Sequence, residues 1–113
     1  MQVKKEKTDF GSRWEIGEEG QFRFVVYRYD DKDDALYLSN VYVEEECRGR
    51  GYGNRILTIA ENIARRWHAS SIRLWAEKDG FAYNWYLRHG YEDMGKPYEG
   101  KPNNVWMEKE VGL

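Results

Sequence analysis

Between residues 35 and 77 the hydrophobic period of the chain changes twice, and that change limits the folds open to it. ALYLSNVYV (35–43) is dense in β-forming residues. Further on, Ile56, Ile59, Ala60, Ile63 and Trp67 recur at helical spacing, with Asn54, Arg55, Glu61, Asn62 and Arg65 on the other faces. SIRLWAE (71–77) reads as a strand again. A strand, a helix and a strand in so short a span predict a crossover, hence at least one parallel strand pair. Between the first strand and the helix lies RGRGYG (48–53), three glycines and two arginines in six residues.

The flanking segments supply the rest of the sheet. RWEI and QFRFVVYRY are short β-type runs joined by the turn signal GEEG, with Phe22, Phe24 and Val26 on one face. The acidic DDKDD reads as an exposed turn, so the first third is an antiparallel meander. Asp79 can cap a short helix running to about Arg88, and Gly90 suits the left-handed position that ends it. YEDMG and VWMEKEV read as two last strands around the turn-rich KPYEGKPNN. Residues 1–8 are charged and expected to fray. The expected order is β-β-β-α-β-α-β-β. That makes a single domain over 1–113 of α+β class, a mixed, mostly antiparallel sheet with two main helices.

Composition narrows the function classes. An aromatic content of 16%, with five Trp and nine Tyr, argues for a packed core despite 34% charged residues. The net charge of −2 gives no reason to expect a nucleic-acid partner. One cysteine excludes an intramolecular disulfide, and no Cys, His and carboxylate cluster has metal-ligand spacing, so no metal is expected. No run of about 18 apolar residues exists to span a membrane, and the first residues lack the apolar stretch of a secretory leader. The expectation is a cytoplasmic domain.

RGRGYG sits where a helix begins, and there several backbone N–H groups lack partners and the helix dipole is positive. Glycines let that backbone curl around a bulky anion. The combination predicts a phosphate cradle. It lacks the Gly-Lys-Ser/Thr ending of a triphosphate loop, and the spacing of Gly49, Gly51 and Gly53 is not that of a dinucleotide fingerprint. Two plainer readings are a disordered Gly-Arg tail, which the periodic context opposes, and a purely structural turn.

The stretch VYVEEECRGRGYGNRILTIAENIA resembles the core motif of the GNAT superfamily of acyl-CoA-dependent N-acetyltransferases: an apolar strand end, a short linker, then Arg/Gln-x-x-Gly-x-Gly/Ala opening an amphipathic helix. Arg48, Gly51 and Gly53 match it. Downstream, AYNWYLRHGYEDMG is similar to the family's second signature, through Ala82, Trp85, Tyr86, Gly90 and Tyr91, and VWMEKEV to its last strand. The resemblance covers roughly 35–113.

The resemblance implies acetyl-CoA as cosubstrate. Its pyrophosphate would lie on the amides of Gly49, Arg50, Gly51, Tyr52, Gly53 and Asn54, with Arg48 and Arg50 adding charge. Its pantetheine arm would pair with the backbone of Val41, Tyr42 and Val43 as an added strand. Tyr86 would be the general acid: a phenol of pKa ~10 can serve a departing thiolate whose parent thiol titrates near ~8.5. Asp79 stands where the family often has a cofactor-contacting Asn, though helix capping is the favoured use for it. Deprotonating a lysine-like amine at neutral pH costs about 4.6 kcal/mol, yet the family's usual base positions hold Tyr37 and Leu74. Glu44 and Glu45 remain, acting through a water ordered by Ser39 and Asn40, against the plainer reading of solvated carboxylates. Cys47 has no His partner for covalent catalysis, because His68 and His89 fall at helix ends, the usual place for exposed histidines.

The family usually has a strand and two helices before the meander. Only about nine residues precede FGSRWEI, so the acceptor side is expected to be open or completed by a second subunit in a homodimer. Asp30, Asp31, Asp33 and Asp34 would suit a cationic acceptor or simply form a polar turn. The leading reading is an N-acetyltransferase acting on a primary amine, of a small molecule or a protein, by direct attack in a ternary complex. Its rivals are a catalytically impaired CoA-binding or regulatory module, and an interaction protein whose Tyr and Trp residues form a partner surface.

Overall fold

The computed structural model describes residues 1–30 and 34–112; Asp31 and Asp33 of the acidic turn lie outside the described residues. The elements are β1 (Gln2–Lys7), β2 (Gly11–Glu18), β3 (Phe22–Tyr29), β4 (Ala35–Val43), a 3-10 turn (Glu45–Cys47), α1 (Tyr52–Arg66), β5 (Ser71–Glu77), α2 (Phe81–Arg88), β6 (Glu92–Pro97) and β7 (Asn104–Glu110). They form one sheet of order β1-β2-β3-β4-β5-β7-β6. All neighbours are antiparallel except β4 and β5, the pair that the crossover requires. The expected α+β class and its mixed sheet are as the periodicity indicated.

Alternation sorts the sheet into two faces. Phe22, Phe24 and Val26 of β3, Leu36 and Leu38 of β4, Ile72 and Leu74 of β5 and Met107 of β7 point to one side. There they meet Ile56, Leu57, Ala60 and Ala64 of α1 and Tyr83 and Tyr86 of α2 in one core. Fully burying a side chain such as Ile56 contributes about 1.5–3 kcal/mol. Leu57 and Ala64 were not in the expected stripe; they widen it around Ile56 and Ala60. The opposite face carries Tyr27, Tyr37, Arg73, Trp75, Trp106 and Glu108, opposed in register. Neither helix lies on it, and its aromatic rings are half-buried.

Two features depart from expectation. Residues 1–8 do not simply fray: Gln2–Lys7 pairs along its whole length with β2 through a three-residue turn, so no helix separates the two strands. VKKEK has no apolar alternation because all six residues of β1 are exposed, and its lysines suit a sheet edge that must not recruit further strands. Asp79 does not cap α2. The N-cap is Gly80, with no side-chain cap; Asp79 itself takes a left-handed φ of 63° in the turn closed by Gly80 N–H on the Glu77 carbonyl at 3.0 Å, a conformation Asp tolerates better than most residues.

Candidate active site

β4 is interrupted where it borders the crossover. Its pairing with β3 jumps from Tyr42–Arg23 to Ser39–Val25, an extra residue on β4, and Asn40 takes up the bulge with φ 53°. On the other side β4 pairs with β5 only over 35–37 against 71–73. Beyond Tyr37 and Arg73 the strands part, which leaves the β5-facing edge of residues 38–43 without a ladder. That split is an unfilled strand position, and Val41, Tyr42 and Val43 line it.

The glycine loop lies just past the open end of the split. Gly51 is the N-cap of α1 at φ 85°, and no side chain caps the helix, so its first N–H groups remain available to an anion. A Cβ at Gly49 or Gly51 would meet nothing within 4 Å, so the space over the loop is open. Arg48 folds back so that Nε donates to the Val43 carbonyl at 3.0 Å, tying loop to strand. Tyr52 turns its ring inward against Phe22, 5.8 Å between centroids, and offers only its backbone outward. An open loop of amides joined to an unpaired strand edge fits a molecule with a phosphate at one end and an extended amide-bearing arm at the other. Coenzyme A has that shape.

Tyr86 belongs to the core side of this region. It is 8% exposed, lies 5.2 Å from Trp85 and edge-on to Tyr91 at 5.6 Å, and burial pushes its phenol up to about 12. Tyr91 is more enclosed, at 1% exposure. Its hydroxyl is buried without a hydrogen-bond partner among the described residues, and burial, then Glu61 and Tyr86, push it upward.

Two contacts that sequence reasoning missed hold α2 against the loop. A Cβ on Gly53 would fall 3.0 Å from the Trp85 ring, so this glycine permits close packing of the two helices. His89, expected to be an exposed helix-end residue, is half-buried, with Nδ1 2.8 Å from the Trp85 carbonyl and Nε2 2.7 Å from Asn54 Oδ1. The signal was a histidine directly before the αL Gly90 (φ 92°), but nothing local indicated its partner.

The other candidates are placed as follows. Leu74 is core and Tyr37 lies on the bare face, so neither base position holds a carboxylate. Glu44 is 3.6 Å from Arg23 and shares with Asn40 a depression of about 810 Å³ on the bare face of β1 to β4; Glu45 is exposed. Cys47 is buried, its Sγ directed to the Gly20 carbonyl at 3.6 Å, a packing role.

Residues 14–93 match the model of the Acetyltransferase (GNAT) domain. No curated protein matches the chain. Among solved structures, nourseothricin acetyltransferase is 22% identical with a TM-score of 0.70, over 91% of this chain and 66% of that one. The IAA acetyltransferase of Bacillus cereus is 16% identical with a TM-score of 0.68, over 88% of this chain and 77% of that one. The PaiA N-acetyltransferase of Thermoplasma acidophilum, solved with coenzyme A, is 15% identical with a TM-score of 0.66, over 87% of this chain and 59% of that one. No helix among the described residues is long and apolar enough to cross a membrane. The chain belongs to the GNAT acetyltransferase family and is an acetyl-CoA-dependent N-acetyltransferase.

Proposed function

We propose that the chain transfers the acetyl group to a primary amine by direct attack in a ternary complex. The observation that carries this is the continuity of the β4–β5 split with the amide-lined loop. Acetyl-CoA supplies an acyl group activated as a thioester; the remaining work falls to this chain. The amides of residues 49–54 hold the pyrophosphate, with Arg48 and Arg50 nearby. The backbone of 41–43 takes the pantetheine arm as an added strand, which fixes the orientation of the reacting carbonyl. Asp79, not used in capping, counts among the cofactor contacts. A backbone amide near Val43 meets the oxyanion.

Tyr86 serves the departing sulfur. Its phenol at about 12 stays protonated at neutral pH. Handing its proton outright to a thiolate of parent pKa ~8.5 would be uphill by roughly 5 kcal/mol. Burial therefore favours a hydrogen bond donated to the sulfur as it leaves, with the final proton drawn from solvent. Glu44, which shares the bare-face depression with Asn40, is better placed than Glu45 to draw the amine proton through water.

Tyr37 and Leu74 leave the usual base positions without a carboxylate, so the amine proton leaves through water. Calorimetric titration with acetyl-CoA, followed by a screen of primary amines, tests the proposal. Micromolar binding with turnover that falls in Tyr86→Phe supports direct attack assisted by Tyr86; turnover unchanged in Tyr86→Phe, or a kinetic pattern in which acetyl-CoA reacts before the amine binds, overturns it.

A further inference from the structure

The bare face of the sheet carries a continuous aromatic wall beside the split. Trp75 stacks on Tyr98 at 4.4 Å and 23°, Tyr98 meets Trp106 at 5.4 Å, and Trp106 meets Tyr37 edge-on at 5.8 Å. Trp75 is the first residue of β5 on that face beyond Arg73, the last to pair with β4. It therefore stands at the mouth of the split. The opposite face of the sheet at this point is filled by the core around Tyr86, so an acceptor reaches the split from the aromatic side.

The wall already holds a cation. Lys101 Nζ lies 4.9 Å from the centroid of the Trp75 ring. The loop that carries it is closed by its own backbone: Tyr98 N–H to the Asn104 carbonyl at 2.8 Å, Lys101 N–H to the Tyr98 carbonyl at 3.1 Å and Asn104 N–H to the Lys101 carbonyl at 3.0 Å. Tyr98 and Lys101 are thus held over Trp75 by the same turn. Lys101 is exposed, so its side chain can leave without breaking the fold.

We propose that Trp75, backed by Tyr98, is the seat for the acceptor's primary alkylammonium, the chemistry shared by a lysine side chain and an aliphatic diamine, and that Lys101 holds this seat until the acceptor displaces it. The aromatic face attracts an ammonium through its quadrupole, and the seat selects charged alkylamines over uncharged aromatic amines. The inference rests on the transfer reading above. In that reaction the C–N bond forms and the C–S bond breaks. The ammonium and acetyl-CoA yield the acetamide, the CoA thiol and one proton released to solvent.

The test is direct binding, which needs no turnover. 1,5-Diaminopentane and Nα-acetyl-lysine amide are titrated calorimetrically into the full chain, with and without CoA, for the wild type, Lys101→Ala and Trp75→Leu. Lys101→Ala should bind the ammonium about threefold tighter, and Trp75→Leu about tenfold weaker. Preference for the diamine or for the lysine amide tells which source of ammonium fits. Because Trp75→Leu disturbs a half-buried ring, the surface change Lys101→Ala is the deciding variant: no gain in ammonium affinity there overturns the proposal. Tighter binding of aniline than of either ammonium also overturns it. CoA titrated alone reports separately on the transfer reading, so its failure is not mistaken for a failure of the seat.

Discussion

His89 Nε2 lies 2.7 Å from Asn54 Oδ1, joining the C-cap of α2 to the first turn of α1. The other ring nitrogen faces the Trp85 carbonyl at 2.8 Å. A carbonyl only accepts, so Nδ1 carries the hydrogen. A neutral ring then presents a bare Nε2 that receives the Asn54 amide N–H after a flip, and an imidazolium donates to Oδ1 instead; the contact holds in both states. Through it the helix bearing Tyr86 is registered against the glycine loop.

Breaking this clasp should therefore hurt cofactor binding and chemistry together. Asn54→Ala and His89→Ala are each expected to raise KM for acetyl-CoA several-fold and to lower kcat. The loss of stability in urea should be only about 1 kcal/mol, the net worth of one hydrogen bond. A fall in stability with unchanged kinetic constants would reduce the clasp to a packing detail.

Gly53 makes a sharper case, because two effects oppose each other there. Alanine favours a helix by about 1 kcal/mol over glycine, yet its Cβ would sit 3.0 Å from the Trp85 ring. Gly53→Ala is expected to leave the melting temperature nearly unchanged while acetyl-CoA affinity falls about tenfold, since Trp85 must move and α2 with it. Scanning calorimetry beside isothermal titration checks both halves.

These contacts also mark what was legible in the chain. The crossover and the glycine loop follow from local period and composition, because a helix beginning at glycines after a strand has few uses. Tyr86 stands out only through the resemblance of AYNWYLRHGYEDMG to the family's second signature, since by itself it is one aromatic among Phe81, Tyr83 and Trp85. The strand β1 was hidden because an exposed edge strand such as VKKEK carries no apolar alternation. The clasp was hidden because Asn54 and His89 are 35 residues apart, and only the packing of α2 on α1 brings them together. The aromatic wall is intermediate: Trp75 and Trp106 alternate visibly in their strands, but that they oppose one another depends on the β5–β7 register, which no local pattern sets.

Burial of Tyr86 predicts the pH dependence of stability. Its phenol is raised from the ordinary value of 10.0 to about 12 in the folded chain. Below pH 10 both states hold the proton and stability is unaffected; above it the unfolded chain loses the proton first, and stability falls as pH rises toward 12. Urea denaturation should give a flat stability from pH 7 to 9 and a loss of a few kcal/mol between 10 and 12, reduced in Tyr86→Phe. The same variant should lower kcat about 10- to 100-fold, the worth of one hydrogen bond to a charged sulfur, with KM for acetyl-CoA little changed. Activity between pH 7 and 9 should show no limb from Tyr86, since it does not titrate there.

Tyr91 offers the opposite kind of substitution. Its ring fills the core at 1% exposure, but its hydroxyl is sealed in without a partner among the described residues, which costs about 1–3 kcal/mol of desolvation. Phenylalanine keeps the ring, its edge-on contact with Tyr86 at 5.6 Å and Lys109 Nζ 5.8 Å above it, and removes the orphan oxygen. Tyr91→Phe is therefore expected to raise stability by about 1 kcal/mol, which would appear as a higher urea midpoint at constant slope. A loss of stability instead would mean that the hydroxyl is satisfied by a buried water and is not an orphan.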